Sequence, residues 1–139
     1  MSTQSIESVD QANLALVQKF YGAIFKGDWG GVEQCVSEDI VVYEAQGLPY
    51  GGEYHGIQAL QDLFAQVVSY WDDLNIEIKG VTAGDGYVVG VLQFSGSSKG
   101  TGQKISMPIA EISEFQNGRI ASIKPVYWDT KTLSAALGV

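Results

Sequence analysis

Between Ile57 and Trp71 the apolar positions Leu60, Leu63, Phe64, Val67, Val68 and Trp71 fall on one helical stripe, and from Leu74 the apolar period drops to two. A long amphipathic helix must therefore lead directly into half-buried strand, which restricts the chain to mixed architectures. Leu74, Ile76 and Ile78 alternate with Asn75, Glu77 and Lys79. Gly84-Asp85-Gly86, the stretch GSSKGTG and Asn117-Gly118 then separate three further strands at Tyr87 to Ser95, Gln103 to Phe115 and Arg119 to Trp128. Asn-Gly favours a type I′ hairpin turn, so this half reads as an antiparallel meander. Asp129 ahead of Thr130 to Leu137 predicts a closing helix with its N-cap.

Upstream, Ser8 and Gln11 read as a capping box, and Leu14, Val17, Tyr21 and Ile24 follow at helical spacing until Gly27. Residues 1–7 are then expected to be a disordered tail. Val32, Cys35 and Val36 suggest a short second helix, and Ile40 to Tyr43 has strand composition. Glu44 to Gly56, with four glycines and a proline, predicts a loop. The order is α-α-β-α-β-β-β-β-α in a single domain of 139 residues. Segregated helices over an antiparallel sheet make an α+β fold, whose curved sheet wraps the first and third helices and leaves a cavity at one end.

The later strands are apolar at both parities: Val89, Val91, Met107, Ile109 and Val126 are expected on one face, Leu92, Phe94, Ala110, Ile112 and Tyr127 on the other. The second face needs a cover, and a homodimer through the outer sheet is the expectation. Glu111 and Lys124 would form a surface pair there.

Charge and composition exclude several function classes. Eight basic against sixteen acidic residues give a net charge of −8, with one arginine, Arg119, so nucleic acid is not expected as a partner. No apolar run reaches the ~18 residues of a membrane helix. One histidine and one cysteine, without metal-ligand spacing, predict no metal, and the absence of glycine-rich phosphate motifs predicts no nucleotide cofactor. Cys35 reads as a small buried hydrophobe, and the N-terminal MSTQSIESVD lacks signal-peptide character, so a cytoplasmic location is expected.

Four segments carry a family resemblance: FYGAIFKGDW from Phe20, SEDIVVYE from Ser37, YGGEYHGIQAL from Tyr50, and YWDT from Tyr127. Together they resemble the SnoaL-like polyketide cyclase and ketosteroid isomerase group of the nuclear transport factor 2-like superfamily. The resemblance spans nearly the whole chain and implies a cone-shaped, cystatin-like α+β barrel with a hydrophobic small molecule in the cone. Overlaid on the isomerase pattern, Glu44 takes the place of the general base. Phe20 and Ala110 fall where the isomerase has its two oxyanion donors, so a plain ketosteroid isomerase is not expected. An epoxide hydrolase of this superfamily would need an Asp-Arg-Asp set, for which Arg119 is badly placed.

The candidate residues follow from both sources. Glu44 shares strand parity with Ile40 and Val42; it is either a desolvated acid/base at the cavity or a solvated strand end. His55 is a second proton carrier or a solvated helix-entry residue, and Tyr54 and Tyr50 lie on a loop that can fold over the cavity mouth. Tyr127 would replace a missing oxyanion donor, or fill core. Asp129 is an acid/base partner by resemblance and a helix cap by its setting. Phe20, Ile24, Val42, Phe64, Trp71, Leu92, Phe94, Ala110 and Ile123 are expected to shape the apolar wall. The function implied is cofactor-independent proton transfer of isomerase, cyclase or dehydratase type, the alternative being a non-catalytic binding or assembly module.

Overall fold

The computed structural model describes residues 3–139, with side chains from residue 8. Helix α1 (Thr3–Phe25) and the short α2 (Trp29–Cys35) precede β1 (Val36–Glu44) and β2 (Gly52–His55). Helix α3 (Gly56–Ser69) leads to β3 (Trp71–Gly84), β4 (Tyr87–Ser98), β5 (Lys104–Gln116), β6 (Arg119–Tyr127) and α4 (Thr130–Ala136). One six-stranded sheet has the order β2-β1-β6-β5-β4-β3, with β1 and β6 parallel and the other neighbours antiparallel. The fold class is α+β as the sequence predicts, a bent sheet around helices.

Several local expectations change. Helix α1 begins at Thr3, so residues 3–7 are helical rather than a tail, while residues 1–2 lie outside the described residues. No glycine or proline interrupts TQSIES, and Ser8 sits inside the helix with its side chain exposed. The expected loop from Glu44 to Gly56 contains β2, which pairs Tyr54 with Val42 and Glu53 with Tyr43. The turn into it requires Gly51, where a Cβ would lie 2.5 Å from the Ala45 carbonyl oxygen. Trp71 opens β3 instead of closing α3: Tyr70 caps the helix, its carbonyl accepts from Lys99 N–H at 2.9 Å, and Trp71 pairs with Ser98.

The sheet bends where its ladders slip, between Asp72 and Asn75, at Ile78 and Gly80, and at Glu114 and Phe115. Its concave face meets α1 and α3. On α1 the buried stripe is Val17, Phe20, Tyr21 and Ile24, and on α3 it includes Leu60 and Leu63. The register sets the faces: Leu92 pairs with Ile109 and Phe94 with Met107, so these four share the inner face. The expectation for β5 was therefore reversed, since Met107 and Ile109 point inward and Ala110 and Ile112 outward with Val89 and Val91. Parity within a strand says nothing of which parity its neighbour matches; the turn between β4 and β5 decides it.

Three side chains hold the short helices in place. Asp28 accepts from Gly31 N–H at 3.0 Å to cap α2. Arg119 donates to the Glu33 and Val36 carbonyls at 3.1 and 3.5 Å, tying the far end of α2 to β6. Ser134 of α4 donates to the Gly47 carbonyl at 2.6 Å. Among the described residues no helix is long and apolar enough to cross a membrane.

Tyr21, buried on α1, lays its ring and hydroxyl directly over Gly90 of β4. A methyl group at 90 would overlap that hydroxyl, and overpacking of this kind costs about 1–3 kcal/mol. Gly90→Ala should lower stability in urea unfolding by that amount, and Tyr21→Phe in the same chain should recover part of it.

Candidate active site

The helices and the concave sheet do not meet completely. Between them lies a cavity of about 110 Å³, lined by apolar side chains from every layer: Phe20 and Ile24 of α1, Phe64 of α3, Leu92 and Phe94 of β4, and Val42 and Ile123 beneath. Phe25 and Val68, 42% and 39% exposed, are the open members of the wall and mark the entrance. Among the described residues only Glu44, Glu111, Tyr21 and Tyr127 bring side-chain polar atoms to it.

Glu44 ends β1 on the same side as Ile40 and Val42, because inward positions alternate along the strand. It is 7% exposed, and its Oε1 is buried with no hydrogen-bond partner. Burial, and next the charge of Glu111, push its carboxyl up to about 8. Glu111 stands on β5 between Gly90 and Pro125, neither of which offers a side-chain donor. Burial pushes it up to about 7, partly opposed by the Tyr21 hydroxyl facing it. That hydroxyl is aimed at Glu111 without reaching full hydrogen-bond geometry, so it holds the carboxylate weakly. Burial and Glu111 together raise the Tyr21 phenol in turn.

Tyr127, at the end of β6, is pushed well above the ordinary phenol range by burial and by Glu44. Its oxygen is 2.9 Å from the Tyr50 hydroxyl. Tyr50 is buried behind the wall, with its ring stacked on Tyr70, and burial raises its phenol too. Tyr54 gives its hydroxyl to the Tyr50 carbonyl at 2.7 Å, bracing the segment that carries Tyr50.

The cavity thus gathers Glu44, Tyr127, Phe20, Ile24, Val42, Phe64, Leu92, Phe94 and Ile123. Tyr50, Tyr54 and Trp71 stand behind or beside it; Trp71 packs edge-on against Phe94 at 5.4 Å and supports the wall without lining it. His55 is exposed, opposite Val41 on the outward side of β1, and takes no part. Asp129 caps α4, accepting from Thr132 N–H at 3.0 Å and Thr132 Oγ1 at 2.7 Å, contacts that hold its carboxyl below its usual range. Ala110 lies on the outer face.

Glu111 and Tyr21 are the residues that sequence reasoning missed. Ile112, not Glu111, pairs with Lys124, whose ammonium lies over the Tyr43 ring at 5.5 Å on the outer face. The expected Glu111–Lys124 surface pair therefore does not form. Glu111 stands one residue after Ala110 and Tyr21 one after Phe20, and both line the cavity. The available signal was the alternation Ile105, Met107, Ile109, Glu111, which places the glutamate on an apolar face once that face is known to be inner.

Cys35 is fully buried, its thiol pushed up by burial. No cluster of three metal-ligating side chains occurs among the described residues.

The family model described as a SnoaL-like domain matches residues 17–123. The chain belongs to the SnoaL-like family. No curated protein matches it. Among solved structures it is similar to a nuclear transport factor 2-like protein of Burkholderia xenovorans LB400, with TM-score 0.79 and 24% identity over 92% of this chain and 97% of that one. TerC, co-crystallised with polyporic acid, gives TM-score 0.79 at 14% identity over 92% and 99%. A protein of Catenulispora acidiphila DSM 44928 with a ketosteroid isomerase-like fold, in complex with trimethylamine, gives 0.70 at 14% over 89% and 92%. At these identities the likeness is one of fold.

Within this SnoaL-like domain the two carboxyls have a thermodynamic signature. Both bind protons more tightly when folded than at the ordinary 4.5, so the folded state holds extra protons from about pH 4.5 to pH 8. Stability contributed by these groups is intact below that window and lost as pH rises through it. Glu44→Gln should match the wild type at pH 4 and exceed it by about 2–4 kcal/mol at pH 9 in guanidinium unfolding.

Proposed function

We propose that this SnoaL-like domain catalyses cofactor-independent proton transfer on a hydrophobic, oxygenated small molecule, with Glu44 as the acid/base. The observation that carries this reading is the pair of carboxyls in one apolar cavity, raised to about 8 and about 7 by burial. Coupled groups titrate as a pair, so near neutral pH the cavity holds one carboxylate and one carboxylic acid together. A base that removes a proton from carbon and an acid that returns one are the two parts an isomerase or cyclase needs. Tyr127 and Tyr21 supply phenols for the developing oxyanion. Such chemistry calls for no metal and no redox cofactor. A single buried cysteine suits the cytoplasmic location that we infer with it.

Deuterium uptake at carbon in D2O, followed by proton NMR over a panel of enolisable carbonyl compounds, tests the reading. Wild type should exchange at least one member, with a bell-shaped rate peaking between about pH 7 and pH 8. Glu44→Gln should lose exchange by at least about a hundredfold while keeping its ligand. Binding without exchange in the wild type would favour a ligand-binding module instead.

We also infer a homodimer through the outer sheet face. Tyr87, Val91 and Val126 are 47%, 43% and 47% exposed on that face, with Val89 and Ile112 beside them. Light scattering at micromolar concentration should give twice the 15.0 kDa of the chain, and Val91→Lys with Val126→Lys should return it to the single mass.

A further inference from the structure

We propose that the cavity selects a compact, uncharged carbonyl compound of no more than one ring, seated with its oxygen on the Tyr127 hydroxyl and its acidic C–H toward Glu44. This rests on the proton-transfer reading and narrows it to a substrate class. Three independent observations point there.

The first is size. A cavity of about 110 Å³ is close to the roughly 150 Å³ apolar cavity that takes up benzene, and well short of the roughly 300–1,000 Å³ of pockets for drug-sized ligands. Phe94 cannot retreat to enlarge it, being packed edge-on between Trp71 and Tyr127 with 1% exposure. The second is charge. Among the described residues no lysine, arginine or histidine lines the cavity, while Glu44 and Glu111 both do, so an anionic ligand finds repulsion and no counter-ion.

The third is the direction of a hydrogen bond. Tyr50 is 1% exposed, and its hydroxyl has Tyr127 as its only partner among the described residues. Were Tyr127 the donor, the Tyr50 hydrogen would be buried without an acceptor; with Tyr50 donating, nothing is left unpaired at that oxygen's hydrogen. Tyr50 thus fixes Tyr127 as an acceptor from behind, leaving the Tyr127 hydrogen free for the cavity, and polarises it as a donor. The Tyr21 hydroxyl is turned to Glu111. Tyr127 is thus the phenol of the wall that offers its hydrogen, and a carbonyl oxygen is the ligand atom it fits.

The step balances within the site. In the microstate with the shared proton on Glu111, the Glu44 carboxylate takes a proton from the carbon next to the carbonyl, the C–H electron pair becomes the new C=C bond, and the carbonyl electrons move to the oxygen held by Tyr127. Return of the proton to the same carbon exchanges it; return to a conjugated carbon isomerises the double bond.

The test compares three probes with the full chain: cyclohexanone, 4-oxocyclohexanecarboxylate and a four-ring 3-ketosteroid, read by backbone amide NMR titration and by deuterium incorporation in D2O. Cyclohexanone should bind at millimolar concentration, at least tenfold tighter than the other two, and should acquire deuterium beside its carbonyl. Its bound C=O infrared band should shift to lower frequency, with the shift lost in Tyr127→Phe and reduced in Tyr50→Phe. The wild-type ranking stands as the test if either variant misfolds. Tighter binding of the steroid or of the carboxylate, or no cyclohexanone binding, overturns the proposal. Cyclohexanone binding without deuteration supports the substrate class and overturns the proton-transfer reading instead.

Discussion

Two carboxyl groups share an apolar cavity with no cation among the described residues to neutralise them, and much of the surrounding architecture serves to keep that arrangement folded. A buried carboxylate facing another is costly, and the two groups respond by holding their protons into the neutral range. A cationic side chain in the wall would remove the cost and with it the raised proton affinity. The wall instead consists of side chains that exclude water, among them Phe20, Phe64, Leu92 and Phe94, and of phenols that soften the penalty without cancelling it.

Support for the site comes from outside the cavity. Tyr21 can face Glu111 only because its ring passes over Gly90, the strand partner of Glu111, where no side chain intervenes. Tyr127 can present its hydrogen inward only because Tyr50 occupies its other side, and Tyr54 holds the Tyr50 backbone in turn. Strand β6 is central to this geometry. Its parallel pairing with β1 brings Ile123 beside Val42, so that Tyr127 and Glu44 approach from neighbouring strands.

Much of this was legible from the sequence, and the boundary of what was legible is physical. Periodicity exposes faces within an element, so the α1 and α3 stripes and the inward parity of Glu44 could be read directly. It does not expose register between elements. The pairing of Leu92 with Ile109 reverses the assignment of β5, turning Ala110 out and Glu111 in, and a slip of one residue suffices to exchange a wall alanine for a second acid. His55 and Asp129 were chemically plausible candidates whose roles depend on geometry: one projects to solvent from β2, the other caps α4. The strand β2 was hidden because its four residues carry no period of their own and pair only once β1 is in place.

The same register also explains why one sheet can serve two purposes. Along β4 the inner positions Val88, Gly90, Leu92 and Phe94 build the core and the cavity, while Tyr87, Val89 and Val91 form an apolar outer face. A half-buried strand ordinarily turns polar residues to water, and an outer face of this kind stays soluble most simply when covered. Covering it would stiffen the strand that positions Gly90 beneath Tyr21 and, through the ladder, Glu111 beside the cavity. A site whose two acids lower the stability of the fold would gain most from rigidity supplied at the back of the sheet, where added contacts leave the cavity untouched.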